Sequence, residues 1–245
     1  MSGVLAGIGI AASVPSAPPA WRLLVVAVTG GAALLPDLDH PSATAARSLG
    51  IVTGLVAVAV DAASLAIYRA TRMGGDPAER QSGHRLVTHT VPGCLLASLV
   101  AASLCLVHPI AGAVLCCLLA GLLSLGLRLL GCGLGTLGGL LAWWSLDHEG
   151  GWWWLVPLAV LVGCLVHVLG DTITDSGTPL LWPLVRGGRR WRLVTTPVTF
   201  AAGDDVELFA VAPLLLGAVG LASFSVLGGW QVVEPLIASL ATGTH

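Results

Sequence analysis

The sequence contains no lysine: all eleven basic residues are arginine, and charged residues of every kind make up only 10% of the 245-residue chain. Soluble domains carry about one quarter charged residues, so an ordinary soluble globular domain is excluded. The net charge of -2 is too small to attract nucleic acid or any other strongly charged partner. Six cysteines are present (Cys94, Cys105, Cys116, Cys117, Cys132 and Cys164), but none stands in C-x-x-C spacing. Neither a disulfide framework nor a thiolate zinc site is signalled, and the thiols read as small hydrophobes. The N-terminal VLAGIGIAASV has the apolar core of a secretory signal without the positive segment that should precede it.

What the chain does have is apolar surface: 56% hydrophobic residues and a mean hydropathy of +0.90. These values predict an all-α, polytopic integral membrane bundle forming one domain over 1–245. Windows able to cross a bilayer fall at 90–107, 109–127, 130–146, 152–170 and 206–228, and a shorter run at 21–35 pairs with 3–14 across SVPSAPPA. Trp143, Trp144, Trp152, Trp153 and Trp154 flank SLDHEGG as an aromatic belt would. Arginine concentrates instead in 69–85 and 186–192, so the positive-inside rule places both of those loops in the cytoplasm and SLDHEGG outside. Four crossings between the two Arg loops agree with that assignment.

The segment 48–70 is also long enough to cross, which would put LLPDLDHP (34–41) opposite the next Arg loop. A re-entrant excursion, broken at Gly50 or Gly54, removes the conflict. It also shelters Asp61, a charge that is expensive in lipid.

Polar residues gather at three predicted boundaries. Asp37, Asp39 and His40 follow Pro36, which should hold them in a turned or extended segment. His84 and His89 bracket a helix start in SGHRLVTHT, and His167 and Asp171 stand i,i+4 on one helical face, within reach of one ion. Imidazole and carboxylate suit Zn²⁺ and related divalent ions, and unpaired carboxylates at a membrane boundary are costly. The bland alternative is that these groups cap helix ends and reach for water.

The strings LLPDLDHP, GHR-x-x-THT and H-x-x-x-D-x-x-T-x-x-G-x-PLLWP resemble the YdjM-like inner-membrane proteins, a family of membrane-bound metal-dependent hydrolases. The resemblance runs from about residue 30 to about residue 210, with a weaker tail at Gly203 and Glu207. It implies an inner (plasma) membrane protein whose cytoplasmic metal site draws on Asp37, Asp39, His40, His84, His89, His167 and Asp171. Zinc is the expected ion, with manganese as an alternative. Seven groups exceed the ligands of one zinc, so two ions are implied. A distant kinship with zinc-dependent phospholipase C enzymes points to phosphoester hydrolysis by metal-activated water, on a phospholipid or another lipid-linked substrate. Asp37 and Arg85 are then catalytic candidates, Arg85 as a bidentate phosphate ligand.

Thr88 and Thr174 are either ligand-orienting donors or caps. Arg186–Arg192, with Trp182 and Trp191, either gathers anionic headgroups or only sets topology. Asp175 reads as a solvated carboxylate, Cys164 as packing, and His108 and His148 as outer-surface residues. Two other functions stay open: divalent-ion transport, to which Asp61 would point, and a membrane scaffold with a structural metal.

Overall fold

Proline and glycine punctuate a chain whose apolar composition otherwise favours helix throughout. The computed structural model describes residues 1–48, 50–78, 82–126, 131–197, 199, 201 and 211–226. The helices are α1 (Ser2–Ser13), α2 (Pro19–Ala32), α3 (Thr44–Arg47), α4 (Ile51–Thr71), α5 (Val91–Val107), α6 (Pro109–Gly126), α7 (Gly131–His148), α8 (Leu155–Asp171) and α9 (Ala212–Val226). Pro19 and Pro109 open α2 and α6, where a missing N–H costs nothing. Thr90 caps α5, its Oγ1 accepting from the Gly93 N–H at 3.0 Å. No strand occurs among the described residues, only isolated antiparallel bridges between Thr178 and Val194 and between Arg186 and Arg189.

At the centre, α2 packs against α1, α6 and α8. Trp21, Leu24, Val25 and Val28 meet Leu119, Val156, Val160 and Val168 in one buried cluster. Two glycines permit the close approach. A Cβ on Gly31 would lie 1.9 Å from the Leu119 carbonyl oxygen of α6, and one on Gly163 in α8 would lie 2.5 Å from the Thr29 oxygen of α2. Small residues at such crossings are how helices associate where lipid removes the usual hydrophobic drive.

The observed helices match the expected windows closely, with α5, α6, α7, α8 and α9 each falling on one of them. Two helical runs, Pro19–Asp39 and Ile51–Thr71, are long and apolar enough to cross a bilayer by length and composition, while α1, α5 and α8 are apolar but shorter. One expectation needs correction. The break foreseen at Gly50 or Gly54 occurs only at Gly50, the residue before α4, where φ is +62°. Gly54 donates normally to the Gly50 carbonyl at 3.0 Å, and α4 continues unbroken for 21 residues.

Because successive bundle helices alternate in direction, α2 ends, α5 begins and α8 ends at one end of the bundle. The α5–α6 and α7–α8 turns lie at the other. All three polar motifs therefore belong to a single end.

Candidate metal centre

Each motif sits at a helix terminus, two of them in short 3₁₀ turns and the third within α8. Asp37 and Asp39 lie in a 3₁₀ turn, Pro36–Asp39, just beyond α2. His89 closes another, Val87–His89, directly before α5, and His167 and Asp171 occupy the last turn of α8. Helix ends leave backbone groups unpaired and so bring polar side chains to a common level.

Four side chains converge. His89 Nε2 lies 3.4 Å from Asp171 Oδ2 and 3.8 Å from Asp37 Oδ1, while His167 Nε2 lies 3.7 Å and 3.5 Å from the same two oxygens. Potential ligand atoms of Asp37, His89 and His167 all fall within 4.8 Å of one another. Two of the converging atoms, His89 Nε2 and His167 Nε2, are buried and make no hydrogen bond, whereas Asp171 Oδ2 is ion-paired with Arg85 at 3.2 Å. Buried polar atoms are rarely left so, and two imidazole nitrogens aimed at one point beside Asp37 Oδ1 fit a cation with nitrogen and oxygen ligands.

Asp39 has a different place. It is wholly buried, and its Oδ1 accepts from His84 Nδ1 at 2.7 Å. Its Oδ2 receives the Arg85 N–H at 3.1 Å and the Thr88 hydroxyl, and stands 3.4 Å from His89 Nδ1. Thr88 Oγ1 is itself 2.9 Å from His89 Nδ1. A proton on Nδ1 satisfies that contact and leaves Nε2 as the lone pair directed to the cluster, the arrangement by which outer carboxylates orient metal-ligating histidines. His84 stacks on His40 with ring centroids 4.4 Å apart, and His40 Nε2 meets the Ser42 hydroxyl at 2.9 Å. Asp39, His84 and His40 thus form a tier outside the four-residue cluster.

Arg85 adopts a positive φ of 56°, rare for a residue with a side chain. That turn lets its backbone N–H serve Asp39 while its guanidinium reaches Asp171 Oδ2 at 3.2 Å, Thr174 Oγ1 at 3.0 Å and the Gly177 carbonyl at 3.5 Å. Thr174 therefore orients Arg85. Burial alone would push the His89 imidazole down, but the Asp171 and Asp39 carboxylates beside it outweigh that and raise it to about 9. The pocket is set for positive charge.

Two further carboxylates hold the site from behind. Asp61 Oδ1, on α4, accepts from the Ser82 hydroxyl at 2.9 Å and the Gly83 N–H at 2.6 Å, anchoring the loop that carries His84. Asp76 accepts from the N–H groups of Met73, Arg190 and Trp191 at 2.8, 3.2 and 3.0 Å, tying the second Arg loop to the first. Sequence reasoning flagged Asp61 as a costly charge and passed over Asp76. Apart from Met73, their partners lie 21 to 115 positions away, so no spacing rule could supply them. Asp175 is exposed and outside the cluster, and Cys164 Sγ donates to the Ala32 carbonyl at 3.5 Å rather than facing the site. Glu207 and Gly203 lie outside the described residues.

A family model of the YdjM inner membrane proteins matches residues 1–233. No curated protein and no solved structure matches the chain, so the expected kinship with phospholipase C gains no support from comparison. The family match extends beyond the three motifs to nearly the whole sequence. The chain belongs to the YdjM inner membrane protein family.

Proposed function

We propose that this protein is a multi-pass membrane hydrolase that holds one divalent cation, zinc by preference, at the cytoplasmic end of its bundle and acts on phosphoesters. The observation that carries the reading is the convergence of His89 Nε2 and His167 Nε2, both buried and without hydrogen bonds, beside Asp37 Oδ1. Asp37, His89 and His167 offer three ligand atoms within 4.8 Å of one another, a set that suits zinc and leaves a fourth position open for water. When bound, such an ion supplies Lewis acidity and lowers the pKa of water towards 7.

The chain's own residues then divide the remaining work. Asp39 and Thr88 fix the His89 ring through Nδ1. Arg85 steadies Asp171 and adds a positive charge beside the cluster, where an anionic group would sit. Asp37 is the least buried of the three, its side chain 35% exposed, so access from solvent is on its side.

Arginine placement supports the cytoplasmic assignment. Arg47, Arg69, Arg72, Arg85 and the four at 186–192 belong to segments at the site's end of the bundle, whereas Arg22 lies in the first turn of α2 at the other. Divalent-ion transport is the second reading. A transporter would place its ligands near the bilayer midplane, and these stand at helix ends.

The test is purified protein in detergent. Elemental analysis should find about one divalent ion per chain, and hydrolysis of bis-p-nitrophenyl phosphate should stop with chelator and return with Zn²⁺ or Mn²⁺. A metal-loaded protein inert towards phosphoester, amide and carboxyl-ester panels, lipids included, would sink the hydrolase. A chain that binds no metal would sink the site as well.

A further inference from the structure

α4 has the length and composition of a membrane span, but its surroundings give it another position. Asp61 is the eleventh of its 21 residues and bonds Ser82 and Gly83. Backbone touches backbone there, since a Cβ on Gly83 would lie 2.2 Å from the Asp61 carbonyl oxygen. The next residue, His84, is bound to Asp39 just past the end of α2. The midpoint of α4 therefore stands level with the end of the bundle. A helix crossing the bilayer would have that level at one of its ends.

Along its buried stripe, Thr53, Ala57, Ser64 and Tyr68 face the site-bearing segments. Tyr68 packs with Leu86 and Trp191 and donates to the Pro77 carbonyl at 2.6 Å, and Thr71 Oγ1 accepts from Trp191 Nε1 at 3.1 Å. Polar loop thus runs beside α4 from its middle to its C-terminus. The opposite face is apolar and bare: Ile51 is 81% exposed, Leu55 67% and Val58 58%. Arg47 lies exposed before the helix, and Arg69 and Arg72 lie exposed at its end.

We infer that α4 does not cross the membrane: it lies along the cytoplasmic leaflet, its Ile51–Ile67 face sunk among the outer acyl carbons and the arginines at both ends meeting anionic headgroup phosphates. An upright α4 with its midpoint at the boundary would send about half its length, roughly 15 Å, into water or bury Arg47 at comparable depth. Lying flat, it satisfies both faces at once, as interfacial helices do. The inference takes the bundle helices as spans and the site's end as cytoplasmic, as proposed above, but it does not depend on the metal or on any activity.

The experiment places a single spin label at 52, 55, 58, 62 or 67 in a cysteine-free chain reconstituted in phosphatidylethanolamine–phosphatidylglycerol vesicles. Paramagnetic accessibility should then give depth. All five should report one shallow depth, within about 10 Å of the phosphates. Should replacing the cysteines unfold the chain, a fluorescent amino acid introduced at the same positions by amber suppression, with nitroxide lipids as quenchers, gives the same readout. A steady change of about 22 Å in depth between 52 and 67 would overturn the inference in favour of a spanning helix. Probes shielded from lipid altogether would overturn it in favour of a second copy of the chain covering this face.

Discussion

Asp37 and Asp39 are two residues apart and chemically identical, yet their surroundings assign them opposite tasks. Asp39 is fully buried and saturated by donors from His84, Arg85 and Thr88. Asp37 is one-third exposed and meets only the two histidine nitrogens. Replacing Asp39 by Asn turns one acceptor into a donor facing donors, so Asp39→Asn should destabilise even the metal-free protein by about 3 kcal/mol. Asp37→Asn should leave the melting temperature of the metal-free protein within error while abolishing stoichiometric zinc in elemental analysis. Asp175→Asn should change neither reading. If both site variants behaved alike, the division between outer support and ligand would be wrong.

At the scale of elements, the glycine contacts of α2 make a separate prediction. Gly31→Ala places a methyl against the backbone of α6, which no rotamer can relieve, and should cost about 2 kcal/mol in a detergent melt. Gly9, with open space around it, should tolerate the same change. Asp61→Ala should act on the site through its loop: freed from Ser82 and Gly83, the His84–His89 segment loses its anchor. Zinc affinity measured by calorimetry should fall several-fold, with a smaller effect on the melt.

These elements also show what sequence could supply. α5 to α8 were readable because a helix signature is local, a run of apolar residues ended by Pro, Gly or a cap such as Thr90. His167 and Asp171 were readable for the same reason, since i,i+4 on a helix is a distance. The rank of Asp39 below Asp37 was not, because it depends on donors 45 to 49 positions away. The posture of α4 was hidden as well, since its composition suits crossing and lying flat equally.

For the whole molecule, a cation held between Asp37, His89 and His167, as proposed, would couple metal binding to folding. A ligand present at one hundred times its dissociation constant stabilises by about 2.7 kcal/mol, so zinc should raise the unfolding temperature and chelator should reverse it. The His167→Ala protein should melt at one temperature with or without zinc. An unchanged wild-type melt across zinc concentrations would contradict a folded-state metal site.

The order of the chain adds a consequence for biosynthesis. Asp37 leaves the ribosome early, His89 later, and His167 with Asp171 only after α5, α6 and α7 have been made. A nascent chain inserting from its N-terminus therefore exposes isolated carboxylates and imidazoles, each a weak ligand alone, until α8 docks against α2. On the proposed reading, metal capture would report the completion of the bundle, and a chain truncated before residue 167 should leave the translation machinery without an ion.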